Sequence, residues 1–295
     1  MNALGQSCLR SNPSLNPSMA LFVGCPMWGV RAWVGSFFPP GTRPAEFLSA
    51  YSRRMNTVEG NTTFYALPDL ETVRRWRDQT PDGFRFCLKV PQAISHHKRL
   101  VACDAETEAF VRCLQTLGDR CGPAFLQLPP TFSPERLRDL DRWLARWHSA
   151  FRLAVEPRHP DLFGRYETEL DALLRQYNVA RCVFDTAPLF SAPPDRPATA
   201  TAQARKPRVP TRRTRTADFV FVRYVGHPDL DTNTRWLMPW VEAVRAWLAE
   251  GRDVYFFCHH PDDALTPRLA EQFRTLVGKA IPPAAPNQLP LWESA

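Results

Sequence analysis

The chain has 295 residues, enough for two average domains or one large α/β barrel. Its 44% hydrophobic content and nine Trp are too high for a disordered chain, and no apolar run approaches the length of a membrane span. The net charge of +7 is local: Arg196, Arg205, Lys206, Arg208, Arg212, Arg213 and Arg215 fall in one stretch with no acidic residue, and without them 37 − 7 = 30 basic side chains face 30 acidic ones.

The N-terminus, MNALGQSCLRSNPSLNPSM, lacks the basic and apolar regions of a secretory signal. Residues 1–19 read as a disordered leader, with Met19 directly before the first strand-like run. Eight β-type runs follow: 21-LFVGC-25, 57-TVEGNTTFY-65, 84-FRFCLKV-90, 124-AFLQLP-129, 152-RLAVE-156, 180-ARCVFD-185, 219-FVFVRYV-225 and 254-VYFFCHH-260. Helical patterns lie between most of them, over 44–55, 70–80, 105–117, 135–147, 167–177, 234–249 and 267–277. In the last, Leu269, Phe273 and Leu276 repeat at three to four residues.

Eight strands alternating with helices over residues 20–280 predict a single-domain TIM-type (β/α)8 barrel, a fold of about 250 residues. An open doubly wound sheet would usually carry a Gly-rich phosphate loop after its first strand, and GCPMWGVRAW is not one. One unit departs from the repeat. Residues 186–217, rich in Pro and Ala with no helical face, read as a flexible basic excursion replacing the sixth helix. Its segment Arg205 to Arg215 either neutralises nucleic-acid phosphates non-specifically or docks its basic groups on acidic strand ends.

None of the eight cysteines forms a C-x-x-C pair, and Cys25, Cys87, Cys182 and Cys258 lie inside apolar runs. That fits reduced core residues of a cytoplasmic protein better than a disulfide framework or zinc site. The last residues, 281–295, read as a disordered Pro-rich tail ending in 288-QLPLW-292. There Gln288, Leu289, Leu291 and Trp292 resemble the short peptide by which bacterial proteins enter the sliding clamp.

Polar groups recur where the strand runs end, which in a barrel is where catalysis sits. The second run carries Glu59 and Asn61 on one face. In the third, Phe84, Phe86, Leu88 and Val90 alternate with Arg85, Cys87 and Lys89, so Lys89 should point away from the helices. Gln127, Glu156, Asp185, Arg223, His259 and His260 come from the later runs; Trp28, Trp33, His96, Arg158 and His159 come from the loops that follow. Any one of these can be a buried structural ion pair. Successive strands all ending this way point to a shared pocket. Glu59, Glu156 and Asp185, with His159, are candidates for acid/base work. The same carboxylates with His159 or His259 can instead hold a divalent metal. Lys89, Arg158 and Arg223 compete for those carboxylates and suit an anionic ligand.

Taken in order, 22-FVGCPMWGVRAWVGSFFP-39, 56-NTVEGNTTFYALP-68, 76-WRDQTPDGFRFCLKVPQAISHHKRL-100, 124-AFLQLPPTF-132, 155-VEPRHPDLF-163, 219-FVFVRYVGHP-228 and 254-VYFFCHH-260 resemble the YecE-like family, domain of unknown function 72. The resemblance implies a TIM-type barrel and no particular reaction. It places the family's polar strand-end positions on Trp28, Glu59, Asn61, Lys89, His96, Gln127, Glu156, Arg158, His159, Asp185 and Arg223. GCPMW stands where a Gly-Ser-Gly-Trp-like turn is usual, and CHH where Asn-Asn is usual, so His259 and His260 set this chain apart. Two functions stand open: a hydrolase or lyase acting on a phosphate-, sugar- or nucleotide-like anion, or a non-catalytic nucleic-acid-associated adaptor recruited to the sliding clamp through QLPLW.

Overall fold

The computed structural model describes residues 20–280; the leader and the QLPLW tail lie outside the described residues. It is an α/β fold built on parallel strands: β1 (Leu21–Cys25), β2 (Thr57–Gly60), β3 (Arg85–Leu88), β4 (Ala124–Gln127), β5 (Leu153–Glu156), β6 (Ala180–Arg181), β7 (Val183–Asp185), β8 (Phe219–Val225) and β9 (Asp253–His259). One sheet runs β3-β2-β1-β9-β8-β7 and a second runs β4-β5-β6. Two contacts join them. Parallel bridges pair Phe86 with Cys121 and Lys89 with Phe125 between the β3 and β4 segments. On the other side β6 and β7 are separated only by Cys182, whose N–H donates to the Val155 carbonyl at 2.8 Å.

Strands buried on both faces should be almost continuously apolar, as these are. Val23, Val58, Phe86, Leu88, Leu126, Val155, Val222 and Phe256 pack into one large cluster with the helices. Alternate residues, Phe22, Cys87, Phe125, Ala154, Cys182, Phe221 and Phe257, pack into a second cluster on the opposite face. The period of two is the register that sends Lys89 to the same side as Cys87. At Gly24 β1 and β2 approach so closely that a Cβ would lie 2.1 Å from the Thr57 carbonyl oxygen, which leaves room only for glycine.

Helices follow most strands, among them Leu70–Asp78, Asp104–Leu117, Leu137–Leu144, Glu167–Gln176, Asn233–Ala249 and Thr266–Ala280. Two expectations are corrected. The run expected as strand through Tyr65 leaves the sheet at Gly60 and turns into a helix at Thr62–Tyr65, held by the Thr63 hydroxyl at 2.7 Å from the Lys89 carbonyl. The excursion after β7 is also not without helix. It holds Ala187–Phe190 and Pro197–Arg205, the latter started by a Pro in its first turn and built from Ala and Thr. Thr199 and Ala202 are buried, and Ala202 packs in a small cluster with Phe184, Leu189 and Val225. Side chains that small leave little apolar signal in a sequence, but they let the helix lie close against the strand ends.

This strap is held down by its own basic groups. Arg212 Nε donates to the Glu167 carboxylate at 2.9 Å, Arg213 lies 4.2 Å over the Trp240 ring, Arg215 pairs with Glu250, and Arg196 donates to the Pro228 carbonyl at 3.2 Å. These contacts are to helix and loop groups, not to the acidic strand ends. Among the described residues the seven cysteines are free thiols, with Cys25, Cys87, Cys182 and Cys258 buried. No helix of the described residues is long and apolar enough to cross a membrane.

Candidate active site

Arg223, at the C-terminal half of β8, organises the strand ends. Its Nε and Nη2 grip Glu59 of β2 at 2.8 and 2.7 Å, a two-pronged pairing that a guanidinium's fixed fork favours, while Nη1 reaches Glu156 of β5. The other Glu156 oxygen accepts from Arg158 Nε at 2.6 Å. Glu59 also accepts from Asn61 Nδ2 at 2.8 Å and from His259 Nε2 at 3.2 Å. Both carboxylates are wholly buried. Burial alone would raise their pKa values, but the attraction of Arg223, helped by Arg158 at Glu156, outweighs it. Glu59 is held well below the usual carboxylate range and Glu156 at about 2. A carboxylate only accepts, so the proton of neutral His259 is on Nε2 and its Nδ1 is left as an acceptor.

Above this ion-pair layer opens a cavity of 1090 Å³. Of the residues expected at a site, Trp28, Asn61, Lys89, His96, Gln127, Arg158, Arg223 and His259 line it. Lys89 is 8% exposed, with Nζ 3.7 Å from the centre of the Phe64 ring and no hydrogen bond or ion pair to any described residue. Burial and then the nearby Arg223 push its pKa down to about 7. His96, against the same ring and 2.8 Å from the Ser95 hydroxyl, is pushed by burial and by Lys89 to about 4. Burial likewise takes His259 to about 4, against the pull of Glu59.

Other expected residues lie elsewhere. Glu59 and Glu156 sit beneath the cavity as counter-ions and do not border it. Asp185 faces away, its carboxylate accepting from Trp240 Nε1 at 2.9 Å, the Ala187 N–H at 3.0 Å and the Thr211 hydroxyl at 3.1 Å. It anchors the strap. His159 caps the short turn Pro160–Phe163 through Nδ1, 3.3 Å from the Asp161 N–H. Trp33 is fully buried in the core.

The strap supplies what the sequence reading missed. Pro197, Ala198, Thr201, Ala202, Arg205 and Lys206 border the cavity, the first five at the spacing of one helix face. Burial, and then Arg223, lower the Lys206 pKa to about 8. Recognising that Ala/Thr face as a helix was the one signal that could have found these residues.

A metal fits poorly here. Among the described residues no three His, Cys, Asp or Glu side chains converge to hold one, and Arg223 occupies both Glu59 oxygens. The geometry supplies instead a ring of cations over neutralised carboxylates.

The model of the protein family of unknown function DUF72 matches residues 22–290. The chain belongs to the DUF72 family. This DUF72 chain is 36% identical over 279 residues to UPF0759 protein YecE of Escherichia coli K12, covering 92% of its own length and 100% of that protein. It is 28% identical over 118 residues to UPF0759 protein YunF of Bacillus subtilis, covering 38% of the chain and 41% of YunF. Among solved structures, it shares its fold with a DUF72 family protein of Thermotoga maritima, with TM-score 0.67, 22% identity, and coverage of 87% of this chain and 98% of that one. One from Enterococcus faecalis gives TM-score 0.63 at 19% identity, with 87% and 97% covered.

Proposed function

We propose that the chain is a (β/α)8 barrel enzyme whose strand-end cavity binds a small anion bearing phosphate or carboxylate, with hydrolase or lyase chemistry on a sugar- or nucleotide-like substrate. The barrel is supported by the strand order, by the Lys89–Phe125 bridge between the sheets and by the continuity of β6 with β7. The observation that carries the function is the charge at the cavity. Lys89, Arg158, Arg205, Lys206 and Arg223 line it, against Asp263 on the wall and Glu59 and Glu156 below, or 5 − 3 = +2 with neutral histidines. Lys89 among them is buried without a paired counter-ion, which is costly, and an anion removes that cost.

In this reading Arg158, Arg205 and Lys206 clamp the anionic group, while Trp28, Phe64 and Tyr65 flank a ring. Gln127, whose amide bonds to no described residue, hydrogen-bonds a hydroxyl. Glu59 and Glu156 position Arg223, Arg158 and His259 rather than exchange protons themselves. That leaves Lys89, poised near neutrality, as the group free to take part in the chemistry.

Thermal unfolding with inorganic pyrophosphate and ribose 5-phosphate tests this reading. A ligand at 100 times its Kd stabilises by about 2.7 kcal/mol, so the midpoint should rise by several degrees. The rise should shrink with added salt and vanish in the Arg158→Ala/Lys206→Ala double variant. No rise with either anion at low salt refutes the proposal.

A further inference from the structure

Lysine is scarce in this chain. Of its 37 basic residues only four are lysine, Lys89, Lys98, Lys206 and Lys279, so 37 − 4 = 33 are arginine. Lys98 pairs with Glu106 at 2.7 Å, and Lys279 is exposed near the end of the last helix. The other two both border the strand-end cavity. The same cavity also carries three arginines, Arg158, Arg205 and Arg223. Arginine cannot give up its proton, whereas a desolvated lysine can, and the free amine is a nucleophile.

Lys89 has the surroundings of such a nucleophile. It emerges from the end of β3, so its Cα is fixed by the sheet. Its Nζ lies over the Phe64 ring and pairs with no carboxylate of the described residues. The charged and titratable groups around it are Arg223 and Arg158, the already-paired Glu156 and Glu59, and His96. A phosphate clamp alone would not need an amine held away from every counter-ion at the rigid end of a strand.

We propose that Lys89 is a covalent nucleophile that forms a Schiff base with the carbonyl carbon of an anionic aldehyde or ketone, a sugar phosphate or 2-oxo acid, bound in this cavity. The inference rests on the anion-binding reading above. The Nζ lone pair makes the C–N bond while the carbonyl π pair moves to oxygen, and the proton that the nitrogen sheds goes to that oxygen. A second proton expels that oxygen as water and leaves the iminium. Lys206 and His96, which also line the cavity, are the proton-exchanging groups at hand. The iminium nitrogen then accepts the electron pair of a neighbouring C–C bond as a hydroxyl proton is lost to base. A carbonyl fragment departs and an enamine remains. Protonation at carbon and addition of water release the second product and free Lys89.

The experiment is reduction with borohydride in the presence of pyridoxal 5′-phosphate, an aldehyde that carries its own phosphate, followed by peptide mapping of the intact protein. With its pKa near 7 against an ordinary 10.5, Lys89 offers on the order of a thousandfold more free amine at pH 7 than an unperturbed lysine. The expected result is one pyridoxyl group per chain, on the Lys89 peptide, prevented by excess pyrophosphate. Lys89→Arg should trap nothing at that position. Label on Lys206 in place of Lys89, or spread evenly over the four lysines, overturns the assignment. Pyrophosphate that stabilises the protein while borohydride traps nothing on Lys89 overturns this inference alone. Label on Lys89 that pyrophosphate neither prevents nor slows overturns the anion-binding reading instead.

Discussion

Replacing Arg223 with Met strips the counter-charge from two carboxylates at once. Glu59 loses both of its guanidinium bonds and keeps Asn61 and His259; Glu156 keeps Arg158 and the long contact from Cys182 Sγ at 3.9 Å. Breaking a buried pair by removing one partner costs about 3–5 kcal/mol, a large share of a typical stability of about 5–15 kcal/mol. The pH dependence gives a sharper test than the magnitude. In the native chain Glu156 is lowered from 4.5 to about 2, so its contribution of about 3 kcal/mol is present above pH 4.5 and is lost only as pH falls toward 2. Between pH 7 and 5 these groups leave native stability flat. In Arg223→Met desolvation dominates, and the folded-state pKa of Glu59 rises above its unfolded value. Stability then increases as pH falls from that raised pKa toward 4.5, because a proton replaces the missing cation. Urea unfolding at pH 7, 6 and 5 should show a deficit of about 3–5 kcal/mol at pH 7 that narrows toward pH 5. A deficit that stays constant over this range, or one below about 1 kcal/mol, refutes the view that Arg223 neutralises both carboxylates.

Anion binding should take up protons. A bound phosphate raises Lys89 from about 7 and Lys206 from about 8, so calorimetry with pyrophosphate at pH 7.5 in buffers of different ionisation enthalpy should report net uptake; zero uptake or release contradicts the arrangement. Asp185→Asn should cost about 1–3 kcal/mol by turning a donor on partners that themselves donate, and should speed proteolytic cleavage within residues 187–215; an unchanged cleavage rate refutes the anchoring role. His159→Ala should cost about 0.5–2 kcal/mol through the lost cap and leave pyrophosphate affinity as it was; a several-fold loss of affinity places His159 in the site after all.

The sequence was most legible where the side-chain period is simplest. The alternation of Phe84, Phe86 and Leu88 with Cys87 and Lys89 predicts which face each takes, and the two apolar clusters divide that way. The run 57–65 misled, because Thr62, Thr63, Phe64 and Tyr65 are strand-favouring types in a place where the chain must leave the sheet. At the site, periodicity located the polar strand ends but not their partners. Glu156 and Asp185 look alike as acids closing apolar runs. Only the fold sets one against Arg223, 67 positions away, and the other against Trp240, 55 positions away. The strap was illegible for a third reason: its helix holds on through small residues and side-chain tethers, which leave no hydrophobic stripe.

The cavity's two walls belong to different parts of the chain. Lys89 stands at the end of β3 and Arg158 in the loop just after β5, while Arg205 and Lys206 ride on a segment tied down by half-exposed arginines. In the proposed anion-binding reading, an occupant gripped from both sides rivets the strap to the sheet, and it can leave only when those bonds open together. Each additional negative charge on the product lengthens its stay. On the enzymatic reading proposed above, turnover is then governed by departure more than by bond cleavage, and added salt, by screening both the product and the tethers, quickens the cycle before it weakens capture.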